Sequence, residues 1–371
     1  MSKDYEVKQH QLFISSVSLL RKLKRQNDIS PNRRKMFRKI WMMTVFTAPF
    51  RWLQLLLFSR RIRKVDFKEK PPVFVLGHWR SGTTHLHYLL AQDNQFTYLE
   101  NFQAFFFRVA FISKTFMKPI LNFFMPRTRP QDNIEIDASA PSEEEHPLTN
   151  LTEKSGMMTF FFPQNRSYYD KYNIFKGTTE KEKKSWKKVY HWMLQNIAYY
   201  TDPNKRLLLK NPHSMGRIEV LLEMYPNAKF VHIHRNPYDV FNSNLHLYDK
   251  AISSQFLQEF SQEEIEERVL YCYETSMGKF MEDWNKIPVD NRVEISYNNL
   301  SINPLETIKH IYGEIQLGDY EKVEAKLEEY LKEVKNYKKN KFQEIRPDLL
   351  KAINKRWKFA FEKYNYELRS E

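Results

Sequence analysis

Residues 73–92 constrain this chain more than any other stretch. Val73-Phe-Val-Leu-Gly77 is short, apolar and rich in β-branched residues, which marks a buried strand. A turn, His78-Trp-Arg-Ser-Gly-Thr-Thr84, follows at once, and His85–Asp93 then spaces its apolar residues as a helix does. Strand, turn and helix in that order open a βαβ unit, and a strand buried on both faces needs parallel neighbours. Further strands are predicted at Arg206–Lys210, Lys229–His234 and Arg292–Tyr297. Helices are expected at 178–201, 216–225, from Asn236-Pro237 onward, at 262–284 and at 304–316. The reading is α/β, with a central parallel sheet flanked by helices and helical N- and C-terminal extensions. We expect a single domain: a basic helical region over 1–70, an α/β core over 71–317 and a helical extension over 318–371. No period of 20–50 residues repeats, which excludes a solenoid.

Ligands of parallel sheets bind at the C-terminal strand ends. Three predicted strands end in chemically loaded turns: Gly77 to Thr84, Lys210 to Ser214, and Arg235 to Ser243. The first has the glycine spacing of a phosphate loop, GxxxxG, so the core reads as P-loop-like. Backbone N–H groups at the helix start, with the hydroxyls of Ser81, Thr83 and Thr84, can cradle a phosphate. Thr83 stands where a nucleoside-triphosphate loop has lysine, and a cation, Arg80, precedes Gly82 instead. That favours a phosphorylated ligand over ordinary ATP hydrolysis. Arg235 closes a strand and Ser243 lies eight residues later in the next helix, so a guanidinium fork and a hydroxyl suit a second phosphate. The plainer reading pairs Arg235 with Asp239 and leaves Ser243 as an ordinary helical residue.

At these residues the chain resembles the sulfotransferases that use 3′-phosphoadenosine 5′-phosphosulfate (PAPS). GHWRSGTTHLHYLLAQDNQF resembles their 5′-phosphosulfate loop, in the bacterial-type form with arginine before SGTT. FVHIHRNPYDVFNSN is similar to the 3′-phosphate motif, RLLLKNPHSMGRI to the strand with a second active-site lysine, and VEISYNNLSINPLETIKHIYGEI to a later family segment. The resemblance spans roughly 70–317. It implies the sulfotransferase fold and transfer of a sulfuryl group to a hydroxyl or amine, with Arg80 and Lys210 holding the sulfate and the bridging oxygen. It further implies a nucleotide site of Arg80, Ser81, Gly82, Thr83, Thr84, His85, Arg235, Ser243 and Tyr297. His85 is expected to pack beneath the loop. Two sources of a general base stand open: His213, one residue further from the lysine than in cytosolic members, and the acidic run Glu143-Glu144-Glu145, with Glu144 and Glu145 carried as candidates.

The net charge of +14 (59 Lys and Arg against 45 Asp and Glu) favours an anionic partner. The competing readings are a P-loop-type small-molecule kinase and a basic, non-catalytic binder of membrane or nucleic acid. The missing Walker lysine weighs against the first, and PAPS, itself polyanionic, accounts for part of the charge, so no nucleic-acid partner is expected. One cysteine, Cys272, excludes an internal disulfide framework and a Cys-based zinc cluster. Neither HExxH nor CxxC occurs, so no metal is expected. The polar MSKDYEVKQH start does not read as a secretory signal, and a cytoplasmic protein is expected. The apolar run 41–58, broken by Pro49 and Arg51 and flanked by basic residues, reads as amphipathic helices packed on the domain, with peripheral contact at an inner membrane face through 41–64 as the rival. Phe105–Phe107, Phe123-Phe124 and Phe160–Phe162 are core residues or the lining of an apolar acceptor cleft, and the acceptor is expected to be small or lipid-like. The sequence says nothing of oligomeric state.

Overall fold

Five parallel strands pair in the order β2-β3-β1-β4-β5 in a computed structural model that describes residues 10–125, 128, 135–336 and 344–370. The strands are β1 (Val73–Leu76), β2 (Phe96–Thr97), β3 (Arg206–Lys210), β4 (Lys229–His234) and β5 (Arg292–Ser296). The two-residue β2 was not predicted, because so short a run carries no periodicity. Tyr297 starts the helix Tyr297–Ile302 instead of ending β5. Residues 1–9, where the leader question arose, lie outside the described residues. So do 126, 127 and 129–134 of the expected 126–147 loop, and 337–341 of the basic run 335–341.

Alternation along the strands divides the core in two. Phe74, Leu76, Leu207, Leu209 and Phe230 face one layer. Val73, Val75, Leu208, Val231, Ile233, Val293 and Ile295 face the other, against helix Thr83–Leu90 and helix Pro304–Glu314. The first layer also takes in Leu12, Phe13, Ile14, Leu20 and Phe37 from the N-terminal region and Trp357, Ala360 and Phe361 from the C-terminal extension, whose Tyr320, Val323 and Leu327 join the other layer. The N-terminal helices are α1 (Val17–Gln26), α2 (Arg34–Phe46) and α3 (Ala48–Ile62); α4 is Thr83–Leu90. The run 41–58 is therefore two helices meeting at Thr47, where α2 ends and Pro49 sits in the first turn of α3.

The C-terminal helix Lys358–Tyr364 brings its end to the tips of β4 and β5. The Tyr364 ring stacks on His234 at 3.9 Å, and its hydroxyl donates to Glu294 at 3.0 Å. Tyr366 adds a 2.9 Å hydrogen bond to His234 Nδ1.

Close packing at the first turn fixes the loop that follows β1. A Cβ on Gly77 would lie 2.6 Å from Thr83 Cγ2 and 2.8 Å from the Ile233 carbonyl oxygen, and the latter is backbone that cannot swing aside. Gly77→Ala is expected to cost about 1–3 kcal/mol of stability by overpacking, read as a lower urea midpoint with an unchanged m-value.

Candidate active site

The loop Gly77–Gly82 joins β1 to α4 and is held in an unusual backbone. Arg80 has φ +72° and Gly82 φ +97°, both left-handed. Only glycine is unstrained there, and a Cβ on Gly82 would lie 2.3 Å from Tyr297 Cδ2. Strain at Arg80 costs of order 1–3 kcal/mol. Tyr297 thus lies against the phosphate loop, at the start of its own helix.

The two phosphate motifs meet. Arg80 Nε donates to Ser243 Oγ at 2.8 Å, and an Arg235 Nη donates to the Arg80 carbonyl at 3.4 Å. The Arg235 guanidinium lies over the Tyr297 ring, 4.4 Å from its centroid, and also pairs with Asp239 at 3.2 Å. Arg235 thus makes the i,i+4 pair with Asp239 that the plainer reading expects, of modest worth at a half-exposed carboxylate, and its guanidinium sits at the strand tip beside the loop. Asn236 caps the helix Pro237–Lys250, accepting from Tyr238 N at 3.0 Å, which sets Ser243 two turns in and facing Arg80.

Lys210 ends β3 and is paired in register with Val75 of β1. It is buried, its Nζ lies 3.4 Å from Thr84 Oγ1 in the first turn of α4, and it forms an ion pair with Glu143. Arg80 leans toward Ser243 while Lys210 leans toward Thr84, so the two cations address different parts of the loop. Ser81 and Thr83 are buried within the loop; Thr84 and His85 are half-buried on the first turn of α4. His87, three residues beyond Thr84, is buried close to Lys210; desolvation first, and the Lys210 charge second, lower its pKa to about 3 and keep it neutral.

The acidic run does not act as one unit. Glu145 is fully buried in a bidentate pair with Arg217, at 2.6 and 3.0 Å. It also accepts from Ser155 Oγ (2.7 Å), Gly156 N (2.8 Å) and Asn211 Nδ2 (2.7 Å). Burial alone would raise its pKa, but the Arg217 guanidinium holds the carboxyl well below the usual range. With its lone pairs taken and its proton affinity so low, Glu145 is unsuited to proton transfer, against its sequence candidacy. Glu144 turns into the core, where Oε1 accepts from Tyr190 OH at 3.1 Å. Burial, reinforced by Glu145 and Glu143, raises its pKa to about 7. It sits away from Lys210, and Glu143 is the member of the run that reaches the lysine.

His213 lies in the 3₁₀ turn Pro212–Arg217, started by Asn211, whose side chain accepts from His213 N at 3.0 Å. Its Nδ1 donates to Asn173 Oδ1 at 2.7 Å, leaving Nε2 as the lone-pair nitrogen, buried and without a hydrogen-bond partner among the described residues. Burial lowers its pKa to about 4. Its ring packs edge-on to Trp79 at 4.6 Å, with Phe160 6.1 Å away. Phe107, Phe160, Phe161 and Phe162 are core residues, whereas Phe123 and Phe124 are exposed. Among the described residues, no three or more His, Cys, Asp or Glu side chains are grouped to hold a metal ion.

A model of the sulfotransferase family matches residues 71–321. The chain belongs to the sulfotransferase family. It is 28% identical over 314 residues to omega-hydroxy-beta-dihydromenaquinone-9 sulfotransferase Stf3 of Mycobacterium tuberculosis and of Mycobacterium bovis, an alignment covering 85% of this chain and 80% of Stf3. Sulfotransferase STF9 of Mycobacterium avium superposes with a TM-score of 0.70 at 18% identity over the full length of both chains. STF1 of Mycobacterium tuberculosis gives 0.57 at 18% identity, covering 80% of this chain and 81% of that one. At this identity the structural likeness establishes the fold: a sulfotransferase fold, as the motifs implied.

Sequence reasoning passed over several residues that this sulfotransferase uses to hold its site. Asn211, Arg217 and Asn173 orient His213 and the acidic run, and Tyr364 and Tyr366 brace the tip of β4. Asn211-Pro212 reads in the sequence only as the stop of the β3 run, and the partners of Arg217 and Asn173 are distant in sequence, so no local pattern reveals them.

Glu144 supplies a pH test. Its carboxyl holds its proton to about pH 7 in the folded chain and loses it near 4.5 when unfolded. A raised carboxyl contributes fully below the unfolded value, and its contribution is lost as pH rises through the folded value. Glu144→Gln keeps the acceptor for Tyr190 and removes the ionisation. The variant is expected to gain about 1 kcal/mol or more on the native chain at about pH 8 relative to about pH 5, by urea unfolding. An identical difference at both pH values would show that Glu144 does not titrate in this range.

Proposed function

We propose that this sulfotransferase moves the sulfuryl group of PAPS to the hydroxyl of a hydrophobic, lipid-like acceptor. The observation that carries the reading is the placement of Lys210, at the end of β3, against both Thr84 of the phosphate turn and the carboxylate of Glu143. A cation and a carboxylate in contact beside a phosphate-binding helix start suit a transfer that builds charge on one oxygen while freeing a proton from another.

Ser81, Thr83 and Thr84, with the N–H groups at the head of α4, hold the 5′-phosphosulfate. Arg235, lying over Tyr297, and Ser243 hold the 3′-phosphate. Lys210 steadies the bridging oxygen as the S–O bond to the 5′-phosphate breaks. The acceptor oxygen bonds to sulfur as its proton passes to Glu143, and adenosine 3′,5′-bisphosphate leaves. Arg80 joins the two phosphate halves through Ser243. His213 positions Trp79 at the edge of the site. Support for a lipid-like acceptor comes from Stf3, whose name specifies a hydroxylated menaquinone derivative. We place the protein in the cytoplasm.

Two measurements test this. Titration with adenosine 3′,5′-bisphosphate should show micromolar binding that Arg235→Ala weakens by about 100-fold, with ATP–Mg giving none. Tight ATP–Mg binding without a response to the bisphosphate would support a kinase instead. Glu143→Gln should lower kcat by about 10²–10⁴ while bisphosphate affinity stays within a few-fold. Near-native kcat in that variant, with a comparable loss in His213→Ala, would move the base to His213.

A further inference from the structure

Helix α3 is inverted for a water-facing helix. Thr44 and Thr47 at the end of α2, and Arg51 and Gln54 in α3, point into the protein, and each is hydrogen-bonded there. The outward stripe is apolar: Trp52 is 74% exposed and Leu56 80%, with Met42, Phe46, Phe50, Leu53 and Leu57 around them. Alongside, helix Ala110–Phe124 turns out Phe116, Ile120, Phe123 and Phe124, the last two 83% and 76% exposed. The two helices are joined: Phe58 stacks on Phe111 at 4.8 Å, and Gln54 bonds both the Phe107 carbonyl (3.0 Å) and Phe111 N (2.9 Å). An apolar face this large on a chain in water marks an interaction surface.

Charge selects the partner. No Asp or Glu occurs between Asp28 and Asp66, or between Glu100 and Asp132. Exposed Arg34, Lys35, Arg38 and Lys39 precede the apolar stripe, and exposed Arg60, Arg61, Arg63 and Lys64 follow it. An apolar band bounded at both ends by cations fits the acyl boundary and anionic headgroups of a bilayer. No single described helix is long and apolar enough to cross a membrane; Pro31–Phe46 with Ala48–Ile62 meets the length and composition only jointly, across a 44° bend.

Beneath the stripe a pocket of about 420 Å³ is lined by Ser16, Ser18, Arg51, Trp52, Leu55 and Arg108. Neither arginine meets a carboxylate among the described residues. Arg51 donates to the Thr44 carbonyl (2.7 Å) and Thr47, and Arg108 to the Asn150 carbonyl at 3.4 Å. Burial, and then the charge of Arg51, lower the Arg108 pKa to about 10. Two neighbouring guanidiniums without a counter-ion are stabilised by an anion between them.

We propose that the outer face of α2, α3 and helix Ala110–Phe124 lies on an anionic bilayer, with Arg51 and Arg108 taking the phosphate of one lipid headgroup. The test is co-sedimentation of the full chain with vesicles of phosphatidylcholine, alone or with about one-third phosphatidylglycerol. The expected result is binding to the anionic vesicles, weaker on pure phosphatidylcholine and weakened as salt rises from about 0.1 to about 0.5 M. Trp52→Glu with Leu56→Glu, and separately Phe123→Glu with Phe124→Glu, should each reduce vesicle binding about tenfold or more. All four positions are exposed, so the urea unfolding midpoint should stay native and report an intact fold. Arg108→Gln should abolish the preference for phosphatidylglycerol, and a retained preference would remove the headgroup from the pocket. The proposal is overturned if the native chain ignores both vesicles, or if both double variants bind like it. It is overturned equally if light scattering shows a native dimer that Trp52→Glu with Leu56→Glu dissociates, which would make the face a contact between copies. None of these readouts needs turnover, so failure here is separable from failure of the PAPS reading.

Discussion

The buried pair of Glu145 and Arg217 is the interaction on which the rest of the site depends. Two charges with no exposure are tolerable only when every lone pair and proton is satisfied, and here Ser155, Gly156 N and Asn211 complete the set. That network ties the 143–148 segment to the turn after β3 and to the 155–156 backbone. On those anchors Glu143 pairs with Lys210, and His213 is held by Asn211 and Asn173. A buried ion pair adds little net stability over well-packed apolar residues, but breaking it costs about 3–5 kcal/mol. It therefore acts as a register pin: the segment docks this way or it does not dock.

Most of the sheet was legible because burial on both faces writes a strong local signal. Val73–Leu76, Arg206–Lys210 and Lys229–His234 are runs of apolar residues with stop signals at their ends, and each formed where read. The phosphate turn was legible for the same reason: its glycines answer to a local steric need, which Gly77 and Gly82 show in full. The acidic run shows where such reading stops. Three adjacent glutamates look alike in sequence, yet one pairs with Lys210, one, bonded by Tyr190, has its pKa raised by burial to about 7, and one is held ionised by Arg217. Those fates are set by partners 46–72 residues away. The same limit hid the link between Arg80 and Ser243, 163 residues apart.

Electrostatics in the site are graded by burial. His78, His87 and His213 are all held neutral by desolvation, to about pKa 3, 3 and 4. The fixed charges near the loop therefore belong to Arg80, Arg235, Lys210 and the carboxylates that touch them.

The corner around Arg235 is assembled from pieces far apart in the chain. His234 stands next to Arg235, and its ring is stacked and hydrogen-bonded by Tyr364 and Tyr366, the latter 132 residues further on. Contacts at that separation close late, because the intervening chain must lose its freedom first. During synthesis the strands and the first phosphate loop can form on the ribosome long before residue 366 emerges. The brace behind Arg235 cannot. A nascent chain therefore passes through a stage with the loop after β1 built and the tip of β4 still unbraced.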